Sequence, residues 1–285
     1  KIIMCLHNMM LAHAKTVNIF KDNKYLGEIG VVHSLETKYP DTPDSKEDQH
    51  AAFLDDALSI RFLLDATYLG YYSKATIAAL DEICAANNAS YDFPEADFIE
   101  MKKASTRNDY LGINHYQCHF VKAYKGENQI HHNATGEKGS SVYKVKGIGE
   151  RVYKEGIART DWDWLIYPEG LYDLLQRIKK DYPHYGKIYI TENGMGYKDE
   201  SKDGVIMDEP RIKYLKVYLE SLSKAIDDGV NVKGYFLWSL MDLFSWSNGY
   251  NKRYGLFYVD FETQKRYPKE SAYWYKFVSD TKTIL

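Results

Sequence analysis

The chain has 285 residues, 45% of them hydrophobic and 27% charged, enough to bury a sizeable core as one large domain or two small ones. Its 37 basic and 40 acidic residues leave a formal net charge of −3, which removes any general electrostatic case for nucleic acid or a membrane surface. Anion binding therefore has to come from a local cluster. Cys5, Cys84 and Cys118 lie far apart with no CxxC spacing, and their odd count argues against a disulfide framework and fits a reducing cytoplasm. No apolar run approaches the roughly 18 residues of a membrane span, and no leader-like segment opens the chain at Lys1. Asn88-Ala-Ser and Asn133-Ala-Thr match the glycosylation spacing, but without a secretion signal both read as chance. Aromatics are abundant, with 26 Tyr, 11 Phe and 5 Trp, which suits sugar stacking and suits an aromatic core equally well.

In chain order, strand-like and helix-like segments alternate. Met9, Met10, His13, Val17 and Phe20 recur at helical spacing, so the chain begins inside or just before a helix. Gly27 to His33 is a strand candidate. Residues 47–64 carry Ala51, Leu54, Leu58 and Phe62 at helical spacing, and 74–86 reads as a second helix. Tyr110 to Tyr116 is the next strand, followed by a polar, glycine-bearing excursion from about 124 to 160. Pro168 then opens a helix with Leu171, Leu174, Leu175 and Ile178 on one face.

The run Lys187-Ile-Tyr-Ile-Thr-Glu-Asn-Gly194 is β-branched and aromatic, with Pro183 and Gly186 before it and Gly194 and Gly196 after it, as a buried strand would be. Glu192 falls where that strand ends. A carboxylate there is either solvated or turned into a pocket, and the strand pattern leaves both open. Beyond a polar loop at 197–209, a helix from Pro210 to Asp228 places Leu215, Leu219, Leu222 and Ile226 on one face, with Gly229 as its stop. Val232 to Trp238 is the fourth strand, residues 255–267 a hairpin, and 268–281 a closing helix. Alternation of this kind predicts an α/β parallel sheet with no internal repeat and no linker. Four βα units do not close a barrel, which takes eight strands, so the sheet is either open or part of a larger barrel.

Thr191-Glu-Asn-Gly194, Gly112-Ile-Asn-His-Tyr116, Tyr167-Pro-Glu-Gly-Leu171 and Trp238-Ser-Leu-Met-Asp-Leu-Phe-Ser-Trp246 together resemble the family 1 glycoside hydrolases, in particular the 6-phospho-β-galactosidase subgroup. The resemblance runs over essentially the whole chain. It implies a (β/α)8 TIM barrel of which residues 1–285 form the C-terminal portion, the four strands being the fifth to eighth. It also implies retaining hydrolysis of 6-phospho-β-galactosides such as lactose 6-phosphate to galactose 6-phosphate, with no metal or organic cofactor. By the same resemblance Glu192 is the catalytic nucleophile and Tyr116 the hydroxyl that orients it, with Asn114 near the same site and Trp238 the platform beneath the sugar ring.

The segment Ser245-Trp-Ser-Asn-Gly-Tyr-Asn-Lys252-Arg-Tyr254 offers a hydroxyl, an ammonium and a phenol around a glycine-bearing turn, a donor set suited to a phosphate dianion. Family members acting on unphosphorylated sugars carry a glutamate at the position of Ser245. One carboxylate about 4 Å from one phosphate charge costs on the order of 4 kcal/mol at an effective dielectric near 20, so the serine removes a repulsion and adds a donor. Trp246 resembles the galacto-type members, with 6-phospho-β-glucosidase as the alternative. Trp164 either lines the aglycone side or packs.

The family's acid/base glutamate lies in a Thr-x-Asn-Glu-Pro motif that this sequence lacks, so the expectation is that the chain alone hydrolyses little or nothing. Two other classes remain: a non-catalytic phosphosugar-binding fragment, and a metalloenzyme around His131-His132, for which no HExxH or clustered ligand spacing is present.

Overall fold

A computed structural model describes residues 1–132, 139, 141–246 and 248–284. The Asn133-Ala-Thr tripeptide lies outside the described residues. Helix α1 (Ile2–Asp22) opens the chain, followed by strands β1 (Gly30–Ser34) and β2 (Lys38–Pro40). Helix α2 (Lys46–Asp56) runs on through a π turn at Ala57–Arg61, one α turn, α3 (Phe62–Leu64), and a second π turn at Asp65–Leu69. Helices α4 (Lys74–Ala86) and α5 (Glu95–Ala104) precede β3 (Tyr110–Asn114). Four short strands come next: β4 (His119–Lys122), β5 (Gln129–His131), β6 (Val142–Val145) and β7 (Gly149–Val152). The remainder is α6 (Glu169–Asp181), β8 (Lys187–Asn193), α7 (Glu209–Asp227), β9 (Val232–Leu237), the antiparallel pair β10 (Phe257–Val259) and β11 (Arg266–Pro268), and α8 (Glu270–Thr281).

The four strands expected from the sequence form one parallel sheet in the order β1-β3-β8-β9. Leu111 stands beside Val31 and Ile188, and Ile190 beside Ile113 and Tyr235. Leu111, Ile113, Ile188 and Ile190 are fully buried, because helices cover the face they point to. Helix α6 delivers Leu171, Leu174, Leu175 and Ile178 to that core, as its periodicity predicts. The sheet ends at β1 on one side and β9 on the other and does not close, so what is seen is four βα units in the α/β class expected.

The helices at the start of the chain and at 210–228 form as expected, and three details go beyond the sequence pattern. The buried stripe of α1 is His7, Met10, Ala14, Val17 and Asn18, leaving Met9 57% exposed. In α7 the inward face is Tyr214, Leu215, Tyr218, Leu222 and Ala225, with Ile226 partly out in solvent. Both helices turn a polar residue type inward because its hydrogen-bond partner lies there, which apolar periodicity cannot register. The polar excursion of 124–160 is not loop throughout: β5, β6 and β7 lie within it and join β2 and β4 in a second sheet, ordered β2-β4-β7-β6-β5. These strands of three or four residues are too short and too charged to announce themselves.

Two glycines are required where they stand. Gly229 follows α7 at φ +83°, a left-handed helix stop, and a Cβ on Gly194 would sit 2.0 Å from the Trp238 carbonyl oxygen, which lets the ends of β8 and β9 close together. No helix among the described residues is long and apolar enough to cross a membrane.

The second sheet is anchored to α2 by Arg151, whose Nε and Nη2 donate to Asp55 at 2.8 and 2.9 Å. Burial disfavours the Asp55 charge, but Lys38 and Arg151 outweigh it and hold the carboxyl below its ordinary range. Asp55→Asn leaves Arg151 without its carboxylate and is expected to cost about 3 kcal/mol in thermal or urea unfolding. Because the folded value lies below the unfolded one, near pH ~4, the wild-type advantage is full above that range. It should shrink as pH falls through the depressed folded value.

Candidate active site

Parallel strands end on one side of their sheet, so Asn114, Glu192 and Trp238, at or just beyond the C-terminal ends of β3, β8 and β9, are brought to a common edge. Glu192 is half-buried there, and the Tyr116 hydroxyl donates a short hydrogen bond to its Oε2. Burial, reinforced by the negative charge of Glu192, pushes the Tyr116 hydroxyl well above its ordinary range. It therefore stays protonated and serves Glu192 as a fixed donor.

Beneath this pair lies a layer of polar side chains that sequence reasoning missed. Asn193 is fully buried; its Nδ2 donates to the His115 carbonyl at 2.7 Å and to the Tyr214 hydroxyl at 3.1 Å, and its Oδ1 accepts from the Tyr235 hydroxyl at 2.6 Å. Tyr214 and Tyr218, one turn apart on α7, donate to the Tyr116 carbonyl at 2.7 and 3.2 Å. The backbone of His115 donates to the Glu192 carbonyl at 2.9 Å. Residues 115–116 and 192–193 are thus tied to each other and to α7, which fixes where the carboxylate points. The i, i+4 tyrosines were the available signal, hidden because a buried Tyr on a helix ordinarily reads as core.

The cleft above has a volume of about 490 Å³ and brings together Glu192, Tyr116, Trp238, Ser245, Trp246 and Tyr254, with Trp164, Leu243, Phe244 and Asn248 completing its walls. Trp164 both lines and packs, its ring 5.1 Å from that of Tyr116 and 6.5 Å from that of Tyr254. Trp246 is 98% exposed at the rim. Ser245 donates to Asn248 Oδ1 at 3.1 Å within a tight loop closed by reciprocal backbone bonds between Ser245 and Gly249. Tyr254 is buried, and burial raises its hydroxyl above the ordinary value and keeps it a donor.

Two expected substrate residues stand outside the lining. Asn114 is half-buried with its Oδ1 accepting from Thr191 Oγ1 at 2.7 Å, so it braces the strand end. Lys252 is buried beside the cleft, its ammonium 3.7 Å from the Asp161 carboxylate and 5.2 Å above the Trp162 ring. Among the described residues, Glu192 is the one carboxylate that lines this cleft.

An adjoining pocket of about 290 Å³ shares Trp164 and contains Glu36, His119, Arg151 and the His131-His132 pair. Burial disfavours the charge of Glu36, but His119 at 2.6 Å, Lys38 and Arg151 hold it below the ordinary carboxylate range. A general acid needs the opposite shift, so Glu36 is unsuited to protonate a leaving group. No group of three or more His, Cys, Asp or Glu able to hold a metal ion occurs among the described residues.

Comparison with known proteins adds a second line. A protein from Leptotrichia buccalis named 6-phospho-beta-galactosidase is 60% identical over 284 residues, 100% of this chain and 61% of that protein. One of the same name from Staphylococcus haemolyticus is 56% identical over 286 residues, again 100% of this chain and 61% of that protein. A solved β-glucosidase from Exiguobacterium marinum superposes with a TM-score of 0.82 at 33% identity, covering 97% of this chain and 57% of that one. A family 1 β-glucosidase from Thermotoga maritima gives 0.79 at 33%, covering 96% and 56%. The chain spans about three fifths of the length of these relatives. The sequence profile described as "Glycosyl hydrolase family 1" matches residues 1–284, as the order of the strand-end motifs led one to expect: this chain belongs to glycosyl hydrolase family 1.

Proposed function

We propose that residues 1–285 are the C-terminal portion of a single barrel domain that hydrolyses 6-phospho-β-galactosides with retention, in the cytoplasm, and that this portion carries the nucleophile and the phosphate contacts. The observation that supports it most is that Glu192, its donor Tyr116, and the donors Ser245 and Tyr254 face one cleft. The names of the 56–60% identical relatives point to the same substrate class.

In this reading the ionised Glu192 attacks the anomeric carbon as the glycosidic bond breaks, forming a glycosyl-enzyme ester. A second carboxyl, about 5 to 5.5 Å away in retaining enzymes, protonates the departing oxygen and later takes a proton from the water that cleaves the ester. Trp238 supplies an apolar face to the sugar ring. Ser245 and Tyr254 donate to the phosphate, Lys252 supplies positive charge from beside the cleft, and Trp246 at the rim favours the galacto configuration over the gluco. Asn114 acts through Thr191 at the strand end.

Since Glu192 is the one carboxylate lining the cleft among the described residues, a second reading is a phosphosugar-binding fragment without turnover. The chain assayed by itself on a chromogenic phosphogalactoside should show almost no hydrolysis, and full turnover would refute this account of the missing proton donor. On a chain extended to the length of the relatives, Glu192→Gln should lower kcat by at least about a thousandfold while leaving the unfolding midpoint close to wild type. Tyr116→Phe removes one hydrogen bond to a charged group and should cost roughly ten- to a hundredfold in kcat/KM. Ser245→Glu should reduce kcat/KM on the phosphorylated galactoside by about a hundredfold or more and spare the unphosphorylated one. An equal fall on both would remove the phosphate assignment.

A further inference from the structure

Arg211 lies in the first turn of α7 with 1% of its surface exposed, and its guanidinium contacts both segments that the proposed function requires to face each other. Nη1 donates to the carbonyl of Met195, three residues past Glu192, at 2.5 Å, and more weakly to the carbonyl of Tyr254 at 3.4 Å. Nη2 donates to the carbonyl of Arg253 at 3.2 Å and to Asp199 at 2.6 Å, and Nε to Asp208 at 2.8 Å. The same segments are already paired through backbone bonds between Tyr197 and Arg253 at 2.9 and 3.1 Å.

Around this fork the buried charges balance. Lys269 donates to Asp199 at 2.5 Å and to Asp242 at 2.8 Å, and Asp242 accepts from Arg253 at 2.8 Å. Three cations thus meet three carboxylates from the loop after β8, the start of α7, the loop after β9 and the start of α8. Asp242 also accepts from the backbone of Gly255 at 2.9 Å and Val259 at 3.2 Å, so the chain on both sides of residues 245–254 is pinned. No member of this network lines the cleft.

We infer that Arg211 is a positioning residue for substrate selection: its planar fork, bonded to the Met195, Arg253 and Tyr254 carbonyls at once, sets the distance between the nucleophile and the donors that hold the sugar phosphate. This rests on the phosphate reading above. The sugar ring is rigid and only the C5–C6 and C6–O6 bonds turn between it and the phosphorus, so the anomeric carbon and the 6-phosphate keep within a short range of separations, and a loop that drifts out of that range loses the phosphate while the ring still stacks. A lysine at this position keeps the charge but presents one compact ammonium in place of a fork, and cannot hold three carbonyls and two carboxylates together.

The test is the ratio of kcat/KM on a phosphorylated β-galactoside to that on its unphosphorylated counterpart, measured on a chain extended to the length of the relatives. In Arg211→Lys the ratio should fall by about tenfold or more, equivalent to one or two lost hydrogen bonds, with the loss on the phosphorylated substrate residing in KM. A role confined to stability would lower both activities together, and an unchanged ratio overturns the inference. If Arg211→Lys fails to fold, Asp199→Asn loosens the same fork while preserving shape, and the same two outcomes decide. A wild-type chain that shows no preference for the phosphorylated substrate would instead remove the phosphate reading, and this inference with it.

Discussion

The structure around the cleft depends on one constraint: a carboxylate at the end of a buried strand, Glu192, is held in one orientation by a neutral donor. Tyr116 meets it by donating to Glu192 from a hydroxyl that burial keeps protonated. In the proposed reaction a cation there would quench the nucleophile, whereas a neutral donor orients it and leaves most of its charge available. The donor is itself immobilised from below, since Asn193, Tyr214 and Tyr218 fix the two backbone segments that carry the pair.

On the proposed function, a second demand follows from the charge of a phosphorylated substrate. Bringing a phosphate dianion near a carboxylate is tolerable only if the two are kept apart and the dianion is met by donors. The loop proposed to offer them, 245–254, is held by contacts at its base, where six charged side chains balance one another. Buried ion pairs of this kind add little net stability, because desolvation offsets their attraction, but they penalise any rearrangement heavily. That is the property a specificity loop needs: rigidity without a large apolar core beneath it. Lys252 belongs to this loop but is drawn toward Asp161 and Trp162 and does not line the cleft.

Much of this was legible in the sequence. The parallel sheet follows from short β-branched runs alternating with amphipathic helices, and the position of Glu192 from the glycines that end its strand. The cleft-lining set of Tyr116, Trp238, Ser245, Trp246 and Tyr254 came from motifs whose order matched a known family, not from periodicity. What stayed hidden shares a physical cause. Asn193, Arg211, Tyr214 and Tyr218 are polar groups satisfied by partners far away in sequence, and burial of that kind leaves no local pattern. The strands of the second sheet were concealed because each is held by cross-strand pairing and by ties such as Arg151 to Asp55, with few apolar residues of its own.

The central claim is that Glu192 forms a covalent bond to a phosphorylated sugar. It is tested most directly by incubating a chain extended to the relatives' length with a 2-deoxy-2-fluoro-β-galactoside 6-phosphate bearing a good leaving group, then mapping the adduct by peptide mass spectrometry. The account predicts one sugar phosphate esterified to the peptide that carries Glu192. Stoichiometric label on another carboxylate, or steady turnover of the parent substrate with no label at residue 192, would contradict it.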